Sequence, residues 1–76
     1  MKLYAGGLLD FYLPDHRNQV EVKLVGPTPL SEILIKVGIP PAEVQLVVMN
    51  GNLVELDETV VSDWDEVKLY PPNNWG

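Results

Sequence analysis

The sequence predicts an α+β domain in which one helix packs across a mixed sheet. Three features carry that expectation: apolar residues alternate through Val20–Leu24 and Val67–Tyr70, an apolar stripe runs from Leu30 to Val37, and Asn50-Gly51 sits between two apolar runs. Each belongs to a different element, and their order is strand, helix, hairpin, strand.

Met1 to Ala5 alternates weakly around Leu3, giving a first strand that Gly6-Gly7 releases into a turn. Leu8 to Leu13 is apolar and ends at Pro14, and Asp15-His16-Arg17-Asn18 is polar enough for a solvated turn. Val20, Val22 and Leu24 alternate with Glu21 and Lys23, the period-two pattern of a strand with one buried face. Gly26-Pro27-Thr28-Pro29 ends that strand, with Thr28 expected to cap the following helix and Pro29 to occupy its first position. Leu30, Ile33, Leu34 and Val37 then fall on one helical face, and Gly38 with Ile39-Pro40-Pro41 stops the helix.

Val44 to Met49 is nearly continuous in its apolar character and rich in valine, as expected of a strand buried on both faces or nearly so, near the sheet centre. Asn50-Gly51 suits a type I′ turn, whose central residues both need positive φ, and Leu53 to Leu56 supplies the returning strand. Val60 and Val61 are expected to pack, Asp63-Trp64-Asp65 to turn, and Val67 and Leu69 to face inward from a last strand that Pro71-Pro72 terminates. The domain therefore spans 1–72, and 73–76 forms a flexible tail.

Composition narrows the function. A chain of 76 residues makes one domain, and such a domain buries only about 60% of its unfolded surface. With 46% apolar residues it is globular. The absence of cysteine excludes disulfides, thiolate chemistry and ferredoxin-type clusters. No apolar run approaches the roughly 18 to 20 residues of a membrane span, and the first residues lack a signal-peptide core, so a soluble cytoplasmic protein is expected.

The net charge of −6 is uneven. Asp10, Asp15, Glu21 and Glu32 balance Lys2, Arg17, Lys23 and Lys36, whereas Glu43, Glu55, Asp57, Glu58, Asp63, Asp65 and Glu66 face Lys68 alone. Such a field repels nucleic acid and anionic lipid, and it speeds docking onto a basic protein surface. His16, the only histidine, sits in a polar turn, and Ser31 and Ser62 lie in no nucleophile motif, which argues against a hydrolase. The acidic residues lack the glycine geometry of a calcium loop and read as solvated turns, so no metal site is expected.

Leu34 to Pro40, then Val44-Gln45-Leu46-Val47-Val48-Met49-Asn50-Gly51, Asp63-Trp64-Asp65-Glu66-Val67 and the closing Tyr70-Pro71-Pro72 resemble the MoaD and ThiS sulfur carriers of the ubiquitin-like superfamily. The likeness covers essentially the whole chain and implies a ubiquitin-like β-grasp fold, a mixed sheet of about four to five strands with one helix. It also implies a carrier rather than an enzyme. The Gly76 carboxylate is the implied attachment point, adenylated with ATP by a MoeB- or ThiF-type adenylyltransferase and converted to a thiocarboxylate.

A downstream synthase would then use the sulfur for molybdopterin, tungstopterin or thiamin. No cofactor is bound by the carrier itself. The resemblance gives tail presentation to Pro71, Pro72 and Trp75, and partner docking to Val47, Met49, Lys68 and Tyr70 on the sheet face away from the helix, with Trp64 on its turn either lying over the sheet edge or marking a partner contact. Family tails usually end in two glycines, and here Trp75 precedes Gly76. A noncovalent ubiquitin-like interaction module without tail chemistry is therefore the alternative.

Overall fold

The computed structural model describes residues 1–72. The elements are β1 (Lys2–Ala5), β2 (Gln19–Glu21), β3 (Thr28–Pro29), α1 (Leu30–Val37), β4 (Leu46–Met49), β5 (Asn52–Val54), β6 (Val60–Val61) and β7 (Glu66–Tyr70), with short 3-10 turns between them. Five strands form one sheet in the order β2-β1-β7-β4-β5, and β3 pairs with β6 separately. Only β1 and β7 run parallel in the main sheet; its other pairs are antiparallel. This is the β-grasp arrangement, a mixed sheet with one helix across a face.

The core lies between that helix and one sheet face. Leu30, Ile33 and Leu34 are fully buried, and they meet Leu3, Ala5, Val47, Val67 and Leu69 in one apolar cluster. Register explains the grouping: Leu3 opposes Val67, Ala5 opposes Leu69, and Leu69 opposes Val47 in turn, so three neighbouring strands point these residues to the same side. Residues 30, 33, 34 and 37 share a helical face, with Val37 half-buried at its end. At the C-terminus Gly38 is left-handed, and its N–H and that of Ile39 both reach the Leu34 carbonyl.

The helix begins differently from the expectation. Pro29 is extended, with φ −59° and ψ 137°, and with Thr28 it pairs against β6. The Thr28 hydroxyl donates to the Gly26 carbonyl instead of capping, and the Leu30 N–H finds the Thr59 carbonyl at 2.9 Å. The residue just before β6 thus satisfies an amide that a cap would otherwise serve.

Other strands also depart from the expectation. Val44–Met49 is not buried on both sides: its strand begins at Leu46, which is 47% exposed, and the centre of the sheet is β7. Within the expected Val60–Val61 pair, Val61 is buried and Val60 exposed. The β2 ladder ends sooner than Val20–Leu24 suggests. Val22 still donates to the Met1 carbonyl, but the Leu24 N–H turns to the Asp63 side chain.

The Asn50-Gly51 turn has φ 51° and 85°, as the type I′ geometry requires, and it returns into Asn52–Val54 with Leu56 already in a 3-10 turn.

Ile33 and Ile35 separate core from surface on one helix. Ile33→Ala should cost about 2 to 5 kcal/mol and lower the melting temperature by roughly 10 °C or more. Ile35→Ala, at a position 69% exposed, should change stability by less than about 0.5 kcal/mol in the same calorimetric comparison. Equal losses would refute the core described here.

Candidate functional site

Because β7 alternates strictly, Val67 and Leu69 face the helix while Glu66, Lys68 and Tyr70 face the other way. Register extends that outer face sideways. Lys68 opposes Val48 on β4 and Tyr4 on β1, Tyr70 opposes Leu46, and Val48 opposes Leu53 on β5. Cross-strand partners stand about 4.5 to 5.5 Å apart at Cβ, so Leu46, Val48, Leu53 and Tyr70 form a continuous apolar area beside Lys68. Leu53 is 69% exposed and Tyr70 39%, and among the described residues no helix lies over them.

At the other side of the face the Lys68 ammonium lies 5.7 Å from the centre of the Tyr4 ring, a cation–π contact that steadies its long side chain. A shallow groove there is lined by Tyr4, Gly6, Asn18, Glu66, Lys68 and Tyr70.

Two residues expected on this face are elsewhere. Val47 is only 3% exposed and belongs to the core, and Met49 packs half-buried against that core. Both have the inward phase of β4, opposing Leu69 and Val67. Their outward neighbours Leu46 and Val48, with Leu53, stand in their place. Lys68 and Tyr70 do lie on the open face. Alternation in β7 showed the phase of that strand, but the unbroken apolar run of β4 contains no polar residue to mark its own.

Trp64 is 85% exposed on the turn before β7 and does not cover the sheet edge. It stands beyond the start of β7, with Pro71 beyond its end. Pro71 is half-buried and Pro72 exposed, and the Gln45 N–H to Tyr70 carbonyl bond of 2.8 Å closes the ladder just before them. Trp75 and Gly76 lie outside the described residues.

The acidic turns are less solvated than their composition implies. Asp63 accepts from the Leu24 N–H at 2.8 Å and from the Met1 ammonium at 3.4 Å. The backbone donor at Leu24 is the main cause holding its carboxyl below the ordinary value of 3.8, with the ammonium adding to the effect.

Asp65 accepts from the Asn50 side-chain amide at 2.8 Å and from the Ser62 N–H at 2.7 Å. Asn50 accepts in turn from the Glu66 N–H at 2.9 Å. These bonds tie the hairpin tip and the chain start to the turn that launches β7. Sequence reading missed these roles because Met1, Leu24 and Asn50 lie far from them in the chain; aspartates three residues and one residue before a strand were the available signal. Among the described residues no group of three or more His, Asp or Glu side chains is placed to hold a metal. No described helix is long and apolar enough to cross a membrane.

A mixed five-stranded sheet with one helix across it, and its last strand at the centre, defines a ubiquitin-like domain. The family model for Mut7-C ubiquitin matches residues 1–75, and the chain belongs to that family. The expected kinship with ubiquitin-related β-grasp proteins of the MoaD and ThiS type is thereby borne out. No curated protein matches the chain.

Asp63 also sets a pH dependence. Its folded-state pKa is depressed, so its stabilisation is present at neutral pH and is lost as pH falls below the ordinary 3.8 through the lower folded value. Asp63→Asn should have a lower urea midpoint than the parent at neutral pH, and the gap should close on acidification to about pH 2. A gap that stayed constant over that range would contradict the assignment.

Proposed function

We propose that this domain is a sulfur carrier that docks through its open sheet face and presents the Gly76 carboxylate to an adenylating enzyme. The observation that carries this reading is the apolar face formed by Leu46, Val48, Leu53 and Tyr70, which reaches through Tyr70 to the root of the tail at Pro71. A docking patch at the tail root brings a short terminal segment to a partner's active site with few residues left to order.

The chemistry follows the carrier resemblance. A carboxylate oxygen of Gly76 attacks the α-phosphorus of ATP and displaces pyrophosphate, giving an acyl-adenylate. Hydrosulfide then attacks the acyl carbon and displaces AMP, leaving a thiocarboxylate and releasing a proton. The partner is a MoeB- or ThiF-type adenylyltransferase, followed by a synthase that takes the sulfur into a molybdopterin, tungstopterin or thiamin precursor. The carrier itself is a substrate, and it works in the cytoplasm. Glycine at position 76 has no Cβ to obstruct a narrow channel.

A second reading has one observation in its favour. Trp75 stands where such carriers have glycine, and an indole is hard to thread through a channel shaped for glycine. On that reading the same face serves a noncovalent ubiquitin-like module without tail chemistry.

The readings separate by mass spectrometry of the protein incubated with ATP, a sulfur donor and candidate adenylyltransferases. An acyl-adenylate or an oxygen-to-sulfur mass increase at Gly76 is expected; none with any enzyme, joined to full cellular function of a Gly76-deleted variant, would establish the module. Leu46→Asp should weaken partner docking by about 10- to 100-fold, with little change in melting temperature because the position is already half exposed.

A further inference from the structure

Where β1 leaves the sheet, its backbone touches the exit of β7. The Gly6 N–H donates to the Leu69 carbonyl at 2.7 Å, and a Cβ on Gly6 would stand 2.8 Å from Tyr70 Cδ1 and 2.9 Å from that carbonyl. At Gly7 the constraint is tighter. Its φ is +57°, and a Cβ there would lie 2.6 Å from Pro71 Cγ and 2.9 Å from Pro71 Cδ. Carbon atoms in van der Waals contact stand about 3.5 to 4.0 Å apart, so the proline ring rests in space that only glycine leaves open. Left-handed φ and close approach coincide at this residue, and both require glycine.

We propose that the Gly6-Gly7 corner is a positioning element for the tail, setting the direction in which the chain leaves the domain at Pro71. The role rests on the carrier reading, because direction matters when the terminus must enter a partner's active site. The mechanism is steric. β7 ends at Tyr70, Pro71 has a restricted φ and no N–H to pair, and its ring is seated against the Gly7 backbone. A side chain at Gly7 must displace the ring, and the residues after it turn with the ring.

The chain has no cysteine, so a nitroxide attached through Asn73→Cys is unique, and it reports tail direction without any enzyme. In the full-length protein the label should broaden the amides of Gly7–Leu9. Gly7→Ala should weaken that broadening while the amide pattern of the five-stranded sheet is kept. Adding Pro71→Ala removes the two ring atoms that clash, so the double variant should broaden these amides no less than Pro71→Ala alone, although both Gly7 variants share the stability loss of alanine at positive φ.

Pro71→Ala alone leaves the sheet intact and should also loosen the pattern, which decides the matter if Gly7→Ala does not fold. Broadening unchanged by Gly7→Ala and by Pro71→Ala, a featureless pattern in all of them included, overturns the proposal.

In a second arm, kcat/KM for adenylation of Gly76 should fall on the order of 10-fold in Gly7→Ala and be no lower in the double variant than in Pro71→Ala alone, since small misplacements of a reacting group cost this much or more. A shifted broadening pattern with unchanged adenylation overturns the role in presentation. If no enzyme adenylates the parent, the carrier reading fails, and the broadening data still decide whether the corner directs the chain.

Discussion

The parallel pairing of β1 with β7 is the contact on which the remaining structure depends. It joins Lys2 to Glu66 and Ala5 to Leu69, nearly the whole chain apart, and places Leu3, Ala5, Val67 and Leu69 side by side in the core. Closing so long a loop costs entropy that grows only slowly with its length, and the burial of four apolar side chains under the helix offsets it. Each other main strand adds to this pair at an edge. β2 extends β1 on one side, and the β4–β5 hairpin extends β7 on the other. The helix between them has one place to go, over the face where those inward residues meet.

With a single helix the sheet has one covered face and one open face, and that asymmetry produces the functional surface. The inward phase of each strand is committed to packing: Val47 belongs to the core with Val67 and Leu69, and Met49 packs half-buried against it. The outward phase carries Leu46, Val48, Leu53, Lys68 and Tyr70, whose apolar area no described element covers. Central placement of β7 also has a directional consequence. The chain leaves from the middle of the sheet, beside the β1 exit, so the tail root and the open face adjoin.

Part of the acidic second half is absorbed in holding this arrangement. Asp63 and Asp65 accept backbone N–H groups and tie the turn before β7 to Leu24, Met1, Ser62 and Asn50. Charge counted along the sequence therefore overstates what is left for steering a partner, since a carboxylate engaged with backbone donors is a fastening as well as a surface charge. Trp64, next to both, stays exposed on the same turn.

The class of fold, the helix and its stripe, the type I′ turn and the inward phase of β7 were legible in the sequence because each depends on residues close together in the chain, whose spacing repeats at 3.6 or 2.0 residues. The phase of β4 was not legible, since Leu46-Val47-Val48-Met49 offers apolar residues to either face and only register against Leu69 and Val67 chooses between them. The same limit hid the Thr59 carbonyl that serves the start of the helix and the Pro71 ring seated against Gly7.

By itself, then, the sequence determined the main strands, the helix and the hairpin turn. Tertiary structure alone decided which strand is central, which face stays open and which side chains form the site, because those depend on contacts between residues that the sequence keeps far apart.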